Sequence, residues 1–255
     1  MSRLDRGDSH YIEYQHVPGD GPGVLFCTGF NSDMQGGKAL ALEGWCRETG
    51  RQFTRFDYYG HGQSSGDMVS ATVGRWRDDT LAVLDVITSG PQIIVGSSLG
   101  GWIALLAAVA CPDIVGLVGI APAPDFTRRM RKQELSVSQQ QQLETEGYCE
   151  LPSSFPSDRP YIIGRDLLEE AQRHLLLGTE VAIDVPVRLL HGQCDDSVPW
   201  QLSLELAQCL RTRDVEIQLI KSGDHRLSEP ADLQRLLDTV EQLIEHTKAQ
   251  SGLSA

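Results

Sequence analysis

The segment Gly96-Ser97-Ser98-Leu99-Gly100 lies between an apolar run, Gln92-Ile93-Ile94-Val95, and an apolar helical stretch, Trp102-Ile103-Ala104-Leu105-Leu106-Ala107-Ala108. A turn that takes a buried strand directly into a helix brings the residues two before and two after its apex against neighbouring backbone. Glycine is the residue with no side chain to collide there. The spacing predicts a sharp strand-turn-helix with the Ser98 hydroxyl projecting from its apex, a nucleophile elbow. In a chain with 25 glycines a bare match carries little weight. The flanking strand and helix, and an Asp and a His in that order downstream, supply the context the motif needs.

Short apolar runs alternate with longer helical patterns along the rest of the chain. The strand candidates are 24–27, 53–56, 93–95, 115–120, 187–190 and 215–220, and the helix candidates are 39–49, 73–88, 99–110, 202–210 and 231–246. Such alternation implies an α/β fold with a mostly parallel central sheet and helices on both faces. Tyr11-Ile12-Glu13-Tyr14 is expected to add an antiparallel edge strand. A length of 255 residues suits one large domain, 1–255, and is too short for two ordinary domains plus a linker. The rhythm breaks over about 126–183, where a Gln run at 139–142 and Pro152, Pro156 and Pro160 accompany no convincing strand. This segment is expected to be an inserted, small helical lid, with Tyr148, Phe155 and Tyr161 either lining an acyl pocket or packing the insertion onto the core. The Gln run suits an exposed helix face.

A serine hydroxyl needs an imidazole to take its proton and a third group to fix the imidazole's tautomer. Of seven histidines, His225 follows the last predicted strand in Ser222-Gly223-Asp224-His225-Arg226, where a loop can reach the carboxyl edge of the sheet. It is the candidate base. His61, in Tyr59-Gly60-His61-Gly62-Gln63-Ser64, is expected to hold its own tight loop. The acid should follow the penultimate strand, which makes Asp195 the candidate. Its rivals are Asp196, which also suits a cap on the helix starting near Pro199, and Asp125 after the preceding strand. The developing oxyanion needs two fixed N–H donors. Leu99 N–H, directly after Ser98, is one. Phe30 N–H, in Thr28-Gly29-Phe30-Asn31, is the other.

Other chemistries find no support. Gly36-Gly37-Lys38-Ala39 lacks the remainder of a phosphate-binding loop, no G-x-G-x-x-G follows the first parallel strand, and no ligand-type residues have metal-site spacing, so no cofactor and no metal are expected. A net charge of −13 disfavours nucleic acid and anionic membrane surfaces as partners. No stretch approaches the roughly 18 apolar residues of a membrane span. The expectation is a soluble cytoplasmic protein, or a mitochondrial matrix protein if a presequence has been removed, with no oligomeric state assigned. Six cysteines without C-x-x-C spacing read as reduced and mostly buried. The basic run Arg128-Arg129-Met130-Arg131-Lys132 is either a solvated helix face or a contact for a substrate carboxylate or phosphate.

With these residues in place, the chain resembles the α/β-hydrolase superfamily over nearly its whole length. More narrowly it resembles the abhydrolase domain-containing protein 10 group, described as a mitochondrial palmitoyl-protein thioesterase and acyl-glucuronide esterase. The segments that carry the resemblance are 29–34, Arg55-Phe56-Asp57-Tyr58-Tyr59-Gly60-His61-Gly62, 90–102, and Leu190-His191-Gly192-Gln193-Cys194-Asp195-Asp196-Ser197-Val198-Pro199-Trp200. The resemblance implies the α/β-hydrolase fold and a triad of Ser98, Asp195 and His225. It also implies hydrolysis of a small-molecule ester or an S-acyl substrate through an acyl-enzyme on Ser98. The alternative from another class is a catalytically idle hydrolase fold serving as a small-molecule receptor or interaction module.

Overall fold

The computed structural model of the protein describes residues 1–7, 9–131, 135–152 and 160–251. Its centre is an eight-stranded sheet in the order β1 (Ser2–Gly7), β2 (His10–Val17), β4 (Arg51–Phe56), β3 (Asp20–Cys27), β5 (Gln92–Ser97), β6 (Ile114–Ile120), β9 (Val187–Gly192) and β10 (Val215–Ile220). From β4 to β10 every neighbouring pair is parallel, while β1–β2 and β2–β4 are antiparallel. The run around Tyr11–Tyr14 is therefore one strand in from the edge. The edge itself is β1, whose Arg- and Asp-rich residues are nearly all exposed and give no alternation to read.

The period-two geometry of strands divides the central side chains between two cores. Leu25, Cys27, Ile94 and Leu117 face one core, which also holds Trp76, Val83 and Leu84 of α2 (Val73–Val86) and the buried side of α3 (Leu99–Ala110). Val24, Phe26, Ile93, Val95 and Val118 face the other, with Leu42 and Cys46 of α1 (Gly37–Glu48) and Val240, Leu243 and Ile244 of α8 (Pro230–Ser251). α3 is apolar all round and buried from Leu99 to Ala107, as a helix enclosed between a sheet and a second layer must be. α7 (Gln201–Cys209) lies between β9 and β10 in the chain.

The segment between β6 and β9 carries more than helices. α4 (Phe126–Arg129) and α5 (Val137–Glu146) are followed by a two-stranded antiparallel sheet, β7 (Tyr148–Leu151) with β8 (Tyr161–Gly164), then α6 (Arg165–Glu170) and a 3₁₀ turn, Ala171–His174. Met130, Leu143, Cys149, Ile163 and Leu168 form a small core of its own. α5 opens on a capping box between Ser136 and Gln139, leaving Gln140 to Gln142 exposed. The end of the segment is fastened to the body by Asp125, which accepts Leu176 and Leu177 N–H (2.8 and 3.0 Å), by Trp102 Nε1, which donates to His174 O (3.0 Å), and by Gly74 N–H, which donates to Glu170 (3.1 Å). All six cysteines are free, but only Cys27, Cys46 and Cys149 are buried, and Cys194 is exposed.

Candidate active site

Ser98 sits at the end of β5 with φ 55° and ψ −118°, a conformation that residues with a side chain rarely adopt. The glycines around it allow this turn. A Cβ on Gly96 would stand 2.2 Å from Gly100 O, and one on Gly100 would stand 2.1 Å from Cys27 O. The elbow is held by Ser98 N–H on Ile120 O (2.9 Å) and by Gly101 and Ala123 N–H on Ser98 O (2.9 and 3.0 Å). α3 starts at the next residue, so Leu99 N–H belongs to the first turn and has no carbonyl four residues back within the helix.

His225 and Asp195 come from the loops after β10 and β9, and backbone contacts join these loops. Cys194 N–H donates to Gly223 O (2.9 Å), and a Cβ on Gly192 would meet Gly223 O at 2.2 Å. The result is a continuous chain: Asp195 Oδ2 to His225 Nδ1, 2.8 Å, and His225 Nε2 to Ser98 Oγ, 3.1 Å. Because Nδ1 faces a carboxylate, it carries the proton. Nε2 is then the acceptor for the Ser98 hydroxyl.

Asp195, the candidate acid, is more heavily engaged than its place in the sequence reveals. Asp195 Oδ2 also accepts from His191 Nε2 (3.1 Å), while Oδ1 accepts the N–H groups of Ser197 (2.9 Å) and Val198 (2.7 Å). Burial alone would raise its pKa. The bonds from His191 and His225, the attraction of His225 and the Val198 N–H outweigh burial and hold the carboxyl below the ordinary carboxylate range. His191 is itself fully buried, with Ser203 Oγ on its other nitrogen at 2.8 Å. The sequence analysis did not single it out, because its partners come from other elements.

The two rival acids stand elsewhere. Asp125 spends both oxygens on Leu176 and Leu177 N–H, 2.8 and 3.0 Å, and pins the end of the insertion. Asp196 is exposed and takes only a 3.5 Å contact from Ser197 Oγ. It does not cap α7, whose first residue follows Trp200. His61 is buried away from Ser98, His225 and Asp195, against Phe30, Tyr58 and Trp76, and burial lowers its pKa to about 4.

A cavity of about 770 Å³ opens over Ser98. Phe30, Ser98, Leu99 and His225 line it from the body. So does Lys38, whose ammonium donates to Arg226 O and whose pKa burial lowers to about 8. From the insertion come Phe126, Arg129, Met130, Leu151, Pro152 and Tyr161. Tyr148 is not among the lining residues, and Phe155 and Lys132 lie outside the described residues. Of the basic run, Arg128 is exposed, and Arg129 donates to Ser197 O (2.7 Å), joining the insertion to the acid loop. Among the described residues no helix is long and apolar enough to cross a membrane. Nor do three or more His, Cys, Asp or Glu side chains gather among them as a metal site.

Fold and geometry together define a class, the α/β hydrolases. The Hydrolase_4 family model, serine aminopeptidase S33, matches residues 23–145. The mouse mitochondrial palmitoyl-protein thioesterase ABHD10 is 42% identical over 246 residues, 96% of this chain and 82% of the relative. Its human counterpart is 40% identical over 96% of this chain and 80% of its own. The solved structure of mouse ABHD10 matches with a TM-score of 0.88 over 96% of this chain and 98% of that one. A putative hydrolase from Agrobacterium vitis, 33% identical, matches with 0.89 over 95% and 97%. The chain belongs to the ABHD10 family and is an ester-cleaving hydrolase.

Proposed function

We propose that the protein hydrolyses carboxylic esters and thioesters through an acyl-enzyme on Ser98, with His225 as general base and acid and Asp195 as the group that orients it. The observation that carries this reading is the unbroken contact from Asp195 through His225 to Ser98, at 2.8 and 3.1 Å. Ser98 Oγ attacks the carbonyl carbon as His225 Nε2 takes its proton. Leu99 and Phe30 N–H stabilise the tetrahedral oxyanion, where each such donor is worth about 2.7–4 kcal/mol. Collapse expels the alcohol or thiol, which takes the proton from His225. A water that gives its proton to His225 then attacks the acyl carbon, the bond to Ser98 Oγ breaks as Oγ takes that proton back from His225, and the carboxylic acid leaves.

The name of the curated relatives, palmitoyl-protein thioesterase, supports a long S-acyl chain as one substrate. The acyl chain would lie on the apolar wall of Phe126, Met130, Leu151 and Tyr161, with residues 126–183 acting as a lid on a single domain. Free cysteines suit a reducing compartment, the cytoplasm or the mitochondrial matrix, and the relatives' mitochondrial label favours the matrix.

The test is intact-protein mass after exposure to a fluorophosphonate, on the wild type and Ser98→Ala in parallel. One stoichiometric adduct on the wild type and none on the variant is the expected result. An adduct that survives the substitution, or none on folded wild type, would overturn the assignment of Ser98. Oxyester and thioester panels of increasing chain length then define the substrate.

A further inference from the structure

The two N–H groups assigned to the oxyanion are supported very differently. Leu99 stands at the start of α3, fully packed. Phe30 stands on a loop whose next three residues, Asn31, Ser32 and Asp33, are exposed. That loop is pinned at its far end, where Met34 N–H donates to Asp57 Oδ1 (2.7 Å) and Met34 O accepts from Arg55 (2.8 Å). Three residues separate this anchor from Phe30. Nearer to Phe30 a single turn bond, Ser32 N–H to Gly29 O (3.2 Å), closes the backbone, and beyond it Phe30 is held by its ring.

On the body side the Phe30 ring packs on His61 and Trp76, with centroids 6.3 and 5.9 Å away. On the insertion side it packs on Phe126 at 5.8 Å and Tyr161 at 5.6 Å. Phe30 contributes to both the body core and the small core of the insertion, and so does Phe126. Phe126 in turn meets Trp102 edge-on at 5.7 Å, on the helix that begins with Leu99. The two donors are thus linked by a chain of rings that passes through the insertion, and Tyr161 is the nearest of the four to Phe30.

We propose that Tyr161 is a positioning residue for the oxyanion hole: its ring, carried on β8 of the insertion, holds Phe30 so that the Phe30 N–H stays aimed at the developing oxyanion. The inference rests on the assignment of Ser98 and Phe30 above. It gives the lid a part in the rate as well as in acyl-chain binding. The distinction is measurable, because an acetyl group is too short to need the acyl wall but still needs the oxyanion donor.

The experiment compares the wild type, Tyr161→Ala, Tyr161→Leu and Tyr161→Phe. Each is assayed for hydrolysis of 4-nitrophenyl acetate and of a palmitoyl thioester, and for inhibition by phenylboronic acid, which forms a tetrahedral adduct. Loss of the ring should lower kcat for the acetate by about three- to tenfold, the range one aromatic pair supplies, with KM unchanged. Boronate affinity should fall by the same factor, and Tyr161→Phe should restore both. The leucine variant keeps apolar bulk without a ring and decides the matter if the alanine variant folds poorly. Unchanged acetate turnover and boronate affinity, with only the palmitoyl KM raised, would reduce Tyr161 to a wall of the acyl pocket and overturn the proposal. Acetate hydrolysis that survives Ser98→Ala would instead overturn the nucleophile assignment beneath it.

Discussion

Replacing Ser98 by alanine and by glycine separates the chemistry of the elbow from its strain. Both changes remove the hydroxyl and its 3.1 Å contact with His225. They differ in the backbone, because alanine keeps a Cβ at φ 55°, ψ −118° and glycine does not. A side chain in so sparsely populated a region costs about 1–3 kcal/mol. Glycine gives back about 0.5–1 kcal/mol through the greater freedom of its unfolded state. The midpoints of these ranges leave Ser98→Gly about 1 kcal/mol more stable than Ser98→Ala. For a chain of this size that is about 2–4 °C in melting temperature. Equilibrium denaturation of the two inactive variants in guanidinium chloride reads the difference directly, with no activity term in either. A glycine variant no more stable than the alanine variant would show that the elbow stores no strain at Ser98, and the glycines at 96 and 100 would then be required only for close approach.

Two further predictions use the buried charges. His61 titrates near 6.5 in the unfolded chain and near 4 when folded, so between these values the unfolded state binds a proton that the native state refuses. Stability should therefore fall by about 3 kcal/mol as pH drops through that window. His61→Phe should flatten the dependence of the denaturation midpoint on pH, and an identical slope in the variant would contradict the assignment. Asp195→Asn should lower kcat on an acetyl ester by about 10³–10⁴, because an amide can hold His225 in the wrong tautomer. Asp196→Asn, at an exposed position, should leave it unchanged, and the reverse pattern would exchange the two acids.

Legibility in the sequence followed locality. The elbow could be read because its strand, glycines and helix are contiguous in the sequence, and the meeting of His225 and Asp195 with Ser98 because each follows an apolar strand that ends at the same edge of the sheet. His191 could not be told from the strand that carries it, since its partners Ser203, Asp195 and Val198 meet it only after β9 and α7 have packed. β1 has no apolar face to announce it. β7 and β8 are four residues each and pair only with one another, burying Cys149 and Ile163 against Leu143 and Leu168 from other elements of the insertion. No periodicity survives in so short a strand, and the proline-rich stretch between them reads as a break.

The same locality separates what is rigid in the site from what can vary. Ser98, His225 and Asp195 are held by backbone meeting backbone: Gly100 against Cys27, Gly192 against Gly223, Cys194 N–H on Gly223 O. The apolar side chains of the insertion take no part in those contacts, and only Arg129 reaches the Asp195 loop, so the proposed triad should tolerate a new acyl wall that keeps Arg129. Phe30 has only the Ser32 N–H to Gly29 O turn bond of that kind, and half of its ring contacts come from Phe126 and Tyr161. A lid remodelled to admit a different acyl chain would therefore alter one oxyanion donor as it altered the pocket. On the proposal above, substrate choice and turnover are coupled through a single phenyl ring, and the coupling runs through the part of the chain whose form depends most on tertiary packing.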